Sequence, residues 1–255
     1  MTVRSEFEER HEAIKEQFAA RSPVYEVKAA WIPDPGLLDC FVNLCRMGPD
    51  AHLLDVCCGS GLVGGRFRGK LARLTGLDLT PEMLDKAQPR LDEIHQGYAD
   101  HMPFPDASFD VVVCRQALHF VDSPGQVLRE MFRVLRPGGQ AIVGHRVPYG
   151  QADADWWARV NKAKQPLLSN LIMAEDLRGF FEQAGFVDLE GVDYFLEESI
   201  RLWTDSPEAT PGSSEVFRQY SEASPEVVAM RNIRIGTDEV RDVWRWHLVS
   251  GRKPV

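Results

Sequence analysis

The hydrophobic pattern changes character along the chain. Over residues 5–20, Phe7, Ile14 and Phe18 recur on one side of a charged segment, which predicts an amphipathic helix. The turn-rich, aromatic stretch RSPVYEVKAAWIPDPG follows, then a second helix over 35–46. From residue 52, short apolar runs alternate with helical segments. HLLDVC runs into a glycine loop, and LARLTGLDLT (71–80) forms a second strand. Thr80-Pro81 then supplies an N-cap and a first-turn proline for a helix. A short strand is expected near GYAD (97–100), and SFDVVVCRQ supplies a fourth. Ser123-Pro124 opens a helix running through VLREMFRVLR to Pro137-Gly138-Gly139, and QAIVGHRV (140–147) is the fifth strand. Strands alternating with helices predict an α/β fold with a doubly wound, mainly parallel sheet.

The last hundred residues differ. A helix over 174–184 stops at Gly185, and FVDLEGVDYFLEE reads as a strand. The polar stretch WTDSPEATPGSSE follows, and VRDVWRWHLVSGRKPV closes the chain as a strand. Two late strands around an insertion predict a mixed sheet with one antiparallel edge. No internal repeat or long linker divides the chain, so one domain over 1–255 is expected.

The composition of the 255 residues, 44% hydrophobic and 26% charged, is that of a globular chain. No apolar run approaches the ~18 residues of a membrane span. The first residues are charged and helical rather than a signal peptide, so a cytoplasmic protein is expected. A net charge of −9 argues against a nucleic-acid partner. Cys40, Cys45, Cys57, Cys58 and Cys114 contain no C-x-x-C pair, so no metal site is expected.

The glycine loop carries the chemistry. In LLDVCCGSGLVG (53–64), Gly59, Gly61 and Gly64 fit G-x-G-x-x-G. The spacing suits a dinucleotide, which would make the protein an NAD-dependent oxidoreductase, and it equally suits a smaller nucleoside. Asp78, ending the second strand, serves ribose hydroxyls in either case. Asp55 does discriminate: a carboxylate four residues before Gly59 suits a ligand bearing ammonium and sulfonium groups better than one bearing two phosphates. Asp100 adds an acceptor for an adenine amino group.

Together, LLDVCCGSG, LTGLDLTPEMLDKA, ADHMPFPDASFDVVV and REMFRVLRPGG resemble, in order and spacing, the class I S-adenosylmethionine (SAM)-dependent methyltransferases. Residues 50–145 carry the resemblance, which is nearest to the branch containing the ubiquinone and menaquinone C-methyltransferases. It implies a seven-stranded sheet with an antiparallel last strand, and SAM as cofactor. It also implies that Gly59 and Gly61 admit the methionine part, and that Asp55 orients the loop and the ligand's amino group. Asp78 would hold the ribose, with Leu79 against the adenine. Asp100 and His101 would meet the adenine edge, and Cys114 to His119, including Arg115 and Gln116, would line the methionine end. Cys57 departs from the family pattern by standing at its first glycine, where a Cβ is expected to require a negative φ.

A sulfonium methyl is already activated, so a base is needed only where the acceptor must lose a proton. His119 and His145, after the fourth and fifth strands, are the candidate catalytic residues, and Arg146 is a candidate for an anionic substrate group. Residues 1–47 are read as a helical lid; FAARSPVYE resembles the stretch before the fold in related small-molecule methyltransferases, which implies that Tyr25 covers the methionine end, and Trp31 is a candidate to line the substrate pocket. Residues 48–147 are the cofactor half and 148–255 the substrate half. Inserts at 148–172 (Trp156, Trp157) and 199–240 (Trp203, Phe217, Tyr220, Met230) favour a small aromatic or quinone-like acceptor. Arg231 and Arg234 are candidates for a carboxylate- or phosphate-binding edge. The edge strands and the second insert offer surfaces for a homodimer. A SAM-fold protein that transfers no methyl group is a further alternative, because cofactor motifs report binding and not reaction.

Overall fold

The computed structural model describes residues 6–204, 212–237 and 239–255. The Phe7 side chain and most of the polar stretch (205–211) lie outside it. The chain opens with helix α1 (Glu6–Arg21), a 3₁₀ segment (Ser22–Val27) and α2 (Pro35–Leu44). At the start of α2, Asp34 Oδ1 accepts from the Leu37 amide at 2.7 Å and Pro35 takes the first turn. Leu37, Leu38, Phe41 and Leu44 form its buried stripe.

The alternating part comprises β1 (His52–Val56), α3 (Leu62–Gly65), β2 (Arg73–Asp78), α4 (Pro81–Ala87), β3 (Glu93–Gln96), β4 (Phe109–Arg115), α5 (Pro124–Val134) and β5 (Leu135–Val147). The remainder comprises α6 (Gln151–Lys164), α7 (Ala174–Ala184), β6 (Val187–Ser199), α8 (Ile200–Thr204), α9 (Gly212–Ser221), α10 (Pro225–Met230), β7 (Arg234–Ile235) and β8 (Val240–Arg252). The sheet order is β3-β2-β1-β4-β5-β8-β6, with the two-residue β7 paired to β8. β1 to β5 pair in parallel. β1 and β4 are almost wholly buried because helices cover both faces of the sheet. Their side chains divide by alternation: Leu53, Val111 and Val113 pack in one core cluster, Leu54, Val56 and Val112 in the other. The strand order reverses between β1 and β4, so the ligand crevice opens at their carboxyl ends.

The mixed sheet with an antiparallel last strand is as expected: β8 runs antiparallel to both β5 and β6, between which it lies. Two other expectations shift. The short strand is 93–96 rather than 97–100, because Glu93–Gln96 are the residues in register with Thr75–Asp78. That leaves Gly97–Asp100 as a loop at the sheet's carboxyl edge. The helix expected to run to Pro137 ends at Val134, where Leu135 turns extended and pairs with Phe109. Thr80 and Ser123 do occupy N-cap positions, but neither hydroxyl makes the capping hydrogen bond.

The second half is anchored on a buried charge cluster. Arg231 is fully buried and bridges Asp153 (2.7 Å) and Asp242 (2.8 Å). Asp242 also accepts from Tyr220 (2.6 Å) and Trp244 (2.9 Å), joining α6, α9 and β8. Arg231 is therefore sealed in the core and cannot form a ligand-binding edge. Arg234 is exposed and ion-paired to Glu197. Phe217, Tyr220 and Met230 lie outside the acceptor cavities described below. Removing one member of such a cluster strands the others without water or partner. Asp242→Ala is expected to cost about 3–5 kcal/mol in urea unfolding; a loss below ~1 kcal/mol would show that the cluster does not anchor this half.

Candidate active site

The glycine loop is gripped by two strand-end carboxylates. Asp55, at the end of β1 and almost inaccessible, accepts from the Gly64 amide at 2.7 Å. Asp78, at the end of β2, accepts from the Gly59 amide at 2.8 Å and from the Thr80 amide at 2.9 Å. Burial raises the pKa of both carboxyls, and for Asp55 to about 7; the amide hydrogen bonds oppose the shift. Asp55 does not line the cavity beside the loop, so its visible task is to hold the loop. Asp78 lines that cavity and keeps lone pairs to spare for a ligand's hydroxyls.

Gly59 stands at φ +53°, and a Cβ there would sit 3.3 Å from Met83 and 3.8 Å from Tyr25, inside the cavity. Gly61 (φ +77°) faces the other way: its Cβ would meet Ala87 of α4 at 3.1 Å, so it serves packing rather than ligand approach. Gly64 also serves packing, against Leu91 and Asp55. The expectation for Cys57 is overturned. It keeps the left-handed conformation of the glycine it replaces, at φ +54°, which costs roughly 1–2 kcal/mol in a non-glycine residue. A hydrogen bond with the Cys114 thiol and burial push the Cys57 thiol's pKa well up, so it is an unreactive wall of the cavity.

This cavity, about 780 Å³ including its mouth, also takes in Leu79, Asp100, Arg115 and Gln116, as expected. His101 does not join them. A bridge between Tyr98 and His101 turns the chain there, and His101 faces solvent. The residues present fit SAM: a glycine cradle a Cβ would fill, and the carboxylates Asp78 and Asp100 on the cavity wall as acceptors for hydroxyl and amino groups. Phe18, Tyr98 and Phe120 line it too and were not anticipated, since helix α1 and the loops reach the cavity only through tertiary packing.

The segment before β1 is held against the glycine loop and β4 by named contacts. Arg90 forks onto Glu26 (2.8 and 3.1 Å) and also donates to the Ser60 carbonyl at 2.8 Å, tying the 3₁₀ segment to the glycine loop. Arg115 donates to the carbonyls of Trp31 and Ile32. Tyr25 lines both this cavity and the next, and Trp31 lines the second one.

Two further cavities continue from the first, and Gln116 lines all three. His119 lines both of them, and Trp157 and Trp203 one each. His145 Nδ1 lies 2.8 Å from the Arg146 carbonyl, and its Nε2 lies 2.8 Å from His119 Nδ1. A carbonyl only accepts, so His145 carries its proton on Nδ1 and presents a bare Nε2. His119 must then donate from Nδ1, which leaves its own Nε2 as a lone pair. Burial lowers both pKa values, that of His145 to about 3 and that of His119 well below the usual range. The pair is therefore neutral at physiological pH.

Residues 54–143 match the family model of a methyltransferase domain. The match and the sheet order give the chain a methyltransferase domain over those residues, on the fold of the class I SAM-dependent methyltransferases. It is 28% identical to the 27-O-demethylrifamycin SV methyltransferase of Amycolatopsis mediterranei over 232 residues, covering 86% of this chain and 83% of that one. It is 39% identical to the demethylmenaquinone methyltransferase of Listeria welshimeri over 133 residues, 48% of this chain and 55% of the relative's length. The YcgJ protein of Bacillus subtilis shares its fold, with a TM-score of 0.78, 20% identity, and coverage of 86% and 98%. The dinucleotide reading of the glycine spacing is not upheld.

Asp55 ties pH to stability. Its folded pKa, about 7, lies above its ordinary unfolded value of ~3.9, so the folded state holds the extra proton between those limits. Its contribution is therefore most favourable below pH ~4 and is lost as pH rises to about 7. Asp55→Asn can still accept from Gly64 and cannot ionise. The Tm advantage of the variant over the parent is expected to grow between pH 5 and pH 8 in the protein without ligand; an equal difference at both pH values would refute the buried charge. Asp78→Ala, which removes the acceptor and frees the Gly59 amide, is expected to weaken S-adenosylhomocysteine binding at least tenfold by calorimetry.

Proposed function

We propose that the protein transfers the methyl group of SAM to an oxygen of a small planar aromatic or quinone-like acceptor. The His119–His145 pair carries this reading. An amine or a ready carbanion needs no base, whereas a hydroxyl does, and His119 Nε2 is a lone pair on the wall between the two outer cavities. Tryptophans on those walls suit a flat ring. The rifamycin-type relative, named for an O-demethylated substrate, supports an oxygen acceptor, and the menaquinone-type relatives support a quinone-like ring.

When bound, SAM supplies a methyl group on a sulfonium that leaves as a neutral thioether. We assign Asp78, Gly59, Leu79, Asp100 and Arg115 to holding it, and Asp55 to fixing the loop. Tyr25 and the lid segment over residues 1–47 exclude water, while orientation of the acceptor against the cofactor contributes much of the rate. His119 takes the hydroxyl proton on Nε2. His145, locked by the Arg146 carbonyl, sets the tautomer that makes this possible. His119 becomes cationic as the sulfonium charge is lost, so the closed cavity gains no net charge. Residues 48–147 form the cofactor half and 148–255 the acceptor half of one domain. The acceptor is a free small molecule rather than nucleic acid, the working unit contains at most two copies, and the protein acts in the cytoplasm; no described helix is long and apolar enough to cross a membrane.

His119→Ala is expected to lower kcat by 10²–10⁴-fold with 2,5-dihydroxy-1,4-naphthoquinone, whose 5-hydroxyl is neutral at the assay pH, scored as the 5-methyl ether by mass spectrometry. S-adenosylhomocysteine affinity should stay within about threefold. Undiminished kcat in this variant refutes the base. Because burial lowers the pKa of His119, the acid limb of kcat/KM is expected well below pH 6.5; a limb at 6.5 or above would mean that another group titrates.

A further inference from the structure

The cavities are divided by charge. The one beside the glycine loop has Asp78 and Asp100 in its wall together with Arg115, whereas neither outer cavity has a carboxylate among its lining residues. Arg146 lines both outer cavities, joined by Arg21 and Lys164 in one and Arg159 and Lys162 in the other. In a chain of net charge −9, such a concentration of cations calls for an explanation.

Arg146 is the most telling of them. It stands next to His145 near the end of β5 and is 7% exposed. Among the described residues no carboxylate lies within ion-pair distance of it. Nη2 donates to Asn161 Oδ1, and Nε is shut off from solvent with no hydrogen-bond partner. The guanidinium is packed on three indoles instead, 4.0 Å from the Trp244 ring centre, 4.6 Å from Trp157 and 5.1 Å from Trp203. Arg231, on the same Trp157 ring at 4.1 Å, shows the usual solution, with two carboxylates satisfying it. Carboxylates farther from Arg146 are committed elsewhere: Glu198 to the amides of Ala30, Trp31 and Ser199, and Asp242 to Arg231, Tyr220 and Trp244. Burial lowers the pKa of Arg146 to about 9, which leaves it charged at neutral pH. Aromatic faces offset only part of the cost of burying a cation.

We infer that Arg146 is the anion-binding element of the acceptor site, and that the acceptor enters with an ionised oxygen on its ring system, an enolate, phenolate or carboxylate, as its counter-ion. This rests on the proposed function and narrows its substrate class. Arg146 pairs with the spectator anion through the part of its guanidinium that lines the cavities, the tryptophans flank the ring, and His119 meets the hydroxyl that is methylated. The neutral His119–His145 pair leaves the arginine's charge uncancelled.

The test is binding, so it does not depend on turnover. Protein saturated with S-adenosylhomocysteine is titrated at pH 7.5 with 2-hydroxy-1,4-naphthoquinone, ionised at that pH, with its uncharged methyl ether, and with 2-naphthoate. The expected result is that at least one anion binds tenfold or more tighter than the ether; which anion does so separates enolate from carboxylate. Arg146→Met is expected to abolish that preference while leaving the ether within threefold, and Arg146→Lys to restore part of it. S-adenosylhomocysteine binding in each variant checks that it is folded. If Arg146→Met does not fold, the parent's preference and its retention in Arg146→Lys decide the matter. Anions that bind no tighter than the ether, or do not bind at all, overturn the inference, as does a preference surviving Arg146→Met. Failure of the methyltransfer reading shows instead as absent methylated product or absent S-adenosylhomocysteine binding.

Discussion

Everything at the cofactor end depends on two carboxylates holding backbone amides. Asp55 and Asp78 end neighbouring parallel strands, so their side chains emerge a few ångströms apart at the sheet's carboxyl edge, and each receives an amide of the same loop. The loop cannot satisfy these amides through sheet pairing, because it has left the sheet. The carboxylates hold it in left-handed turns that only Gly59, Gly61 and, with strain, Cys57 adopt. With the loop pinned, α3 starts at a defined angle, and Arg90 can reach Ser60 and Glu26 together. The lid is thus referenced to the loop and not simply draped over it.

The acceptor end depends on a different arrangement, in which polar groups are buried with few partners. The His119–His145 chain is satisfied in one direction only, from the Arg146 carbonyl outward, and so ends in a lone pair. The Arg146 side chain is satisfied less still. The neighbouring core shows that the fold can neutralise a buried arginine where a carboxylate is available, as Asp153 and Asp242 do for Arg231. Satisfaction is incomplete beside the cavities and complete a ring's thickness away, where Arg231 meets only protein.

Much of the cofactor half was legible in the sequence because its signals are local. Strand-end acids, glycines and proline-started helices lie within a few residues of what they control. Asp78, Leu79, Asp100, Arg115 and Gln116 are where the motif order puts them, on the cavity wall. His101 and Gly61 are not. A single residue's shift around the Tyr98–His101 bridge turns one side chain to solvent, and the tilt of α3 against Ala87 decides which face a glycine presents. Such choices belong to packing, which no spacing encodes.

The acceptor half was less legible for the same reason on a larger scale. Trp157, Trp203 and Trp244 are spread over 88 residues and meet around one guanidinium only because β8 inserts between β5 and β6. Arg146 and Arg231 look alike as letters, and burial and partners alone separate an open cation from a sealed one. By itself, then, the sequence determined the parallel α/β half, the glycine loop and the class of cofactor, since alternation, capping and turn chemistry act between near neighbours. The tertiary structure alone decided which histidine ends in a lone pair, which arginine lacks a counter-charge and where the antiparallel strand lies, since those depend on long-range desolvation and pairing.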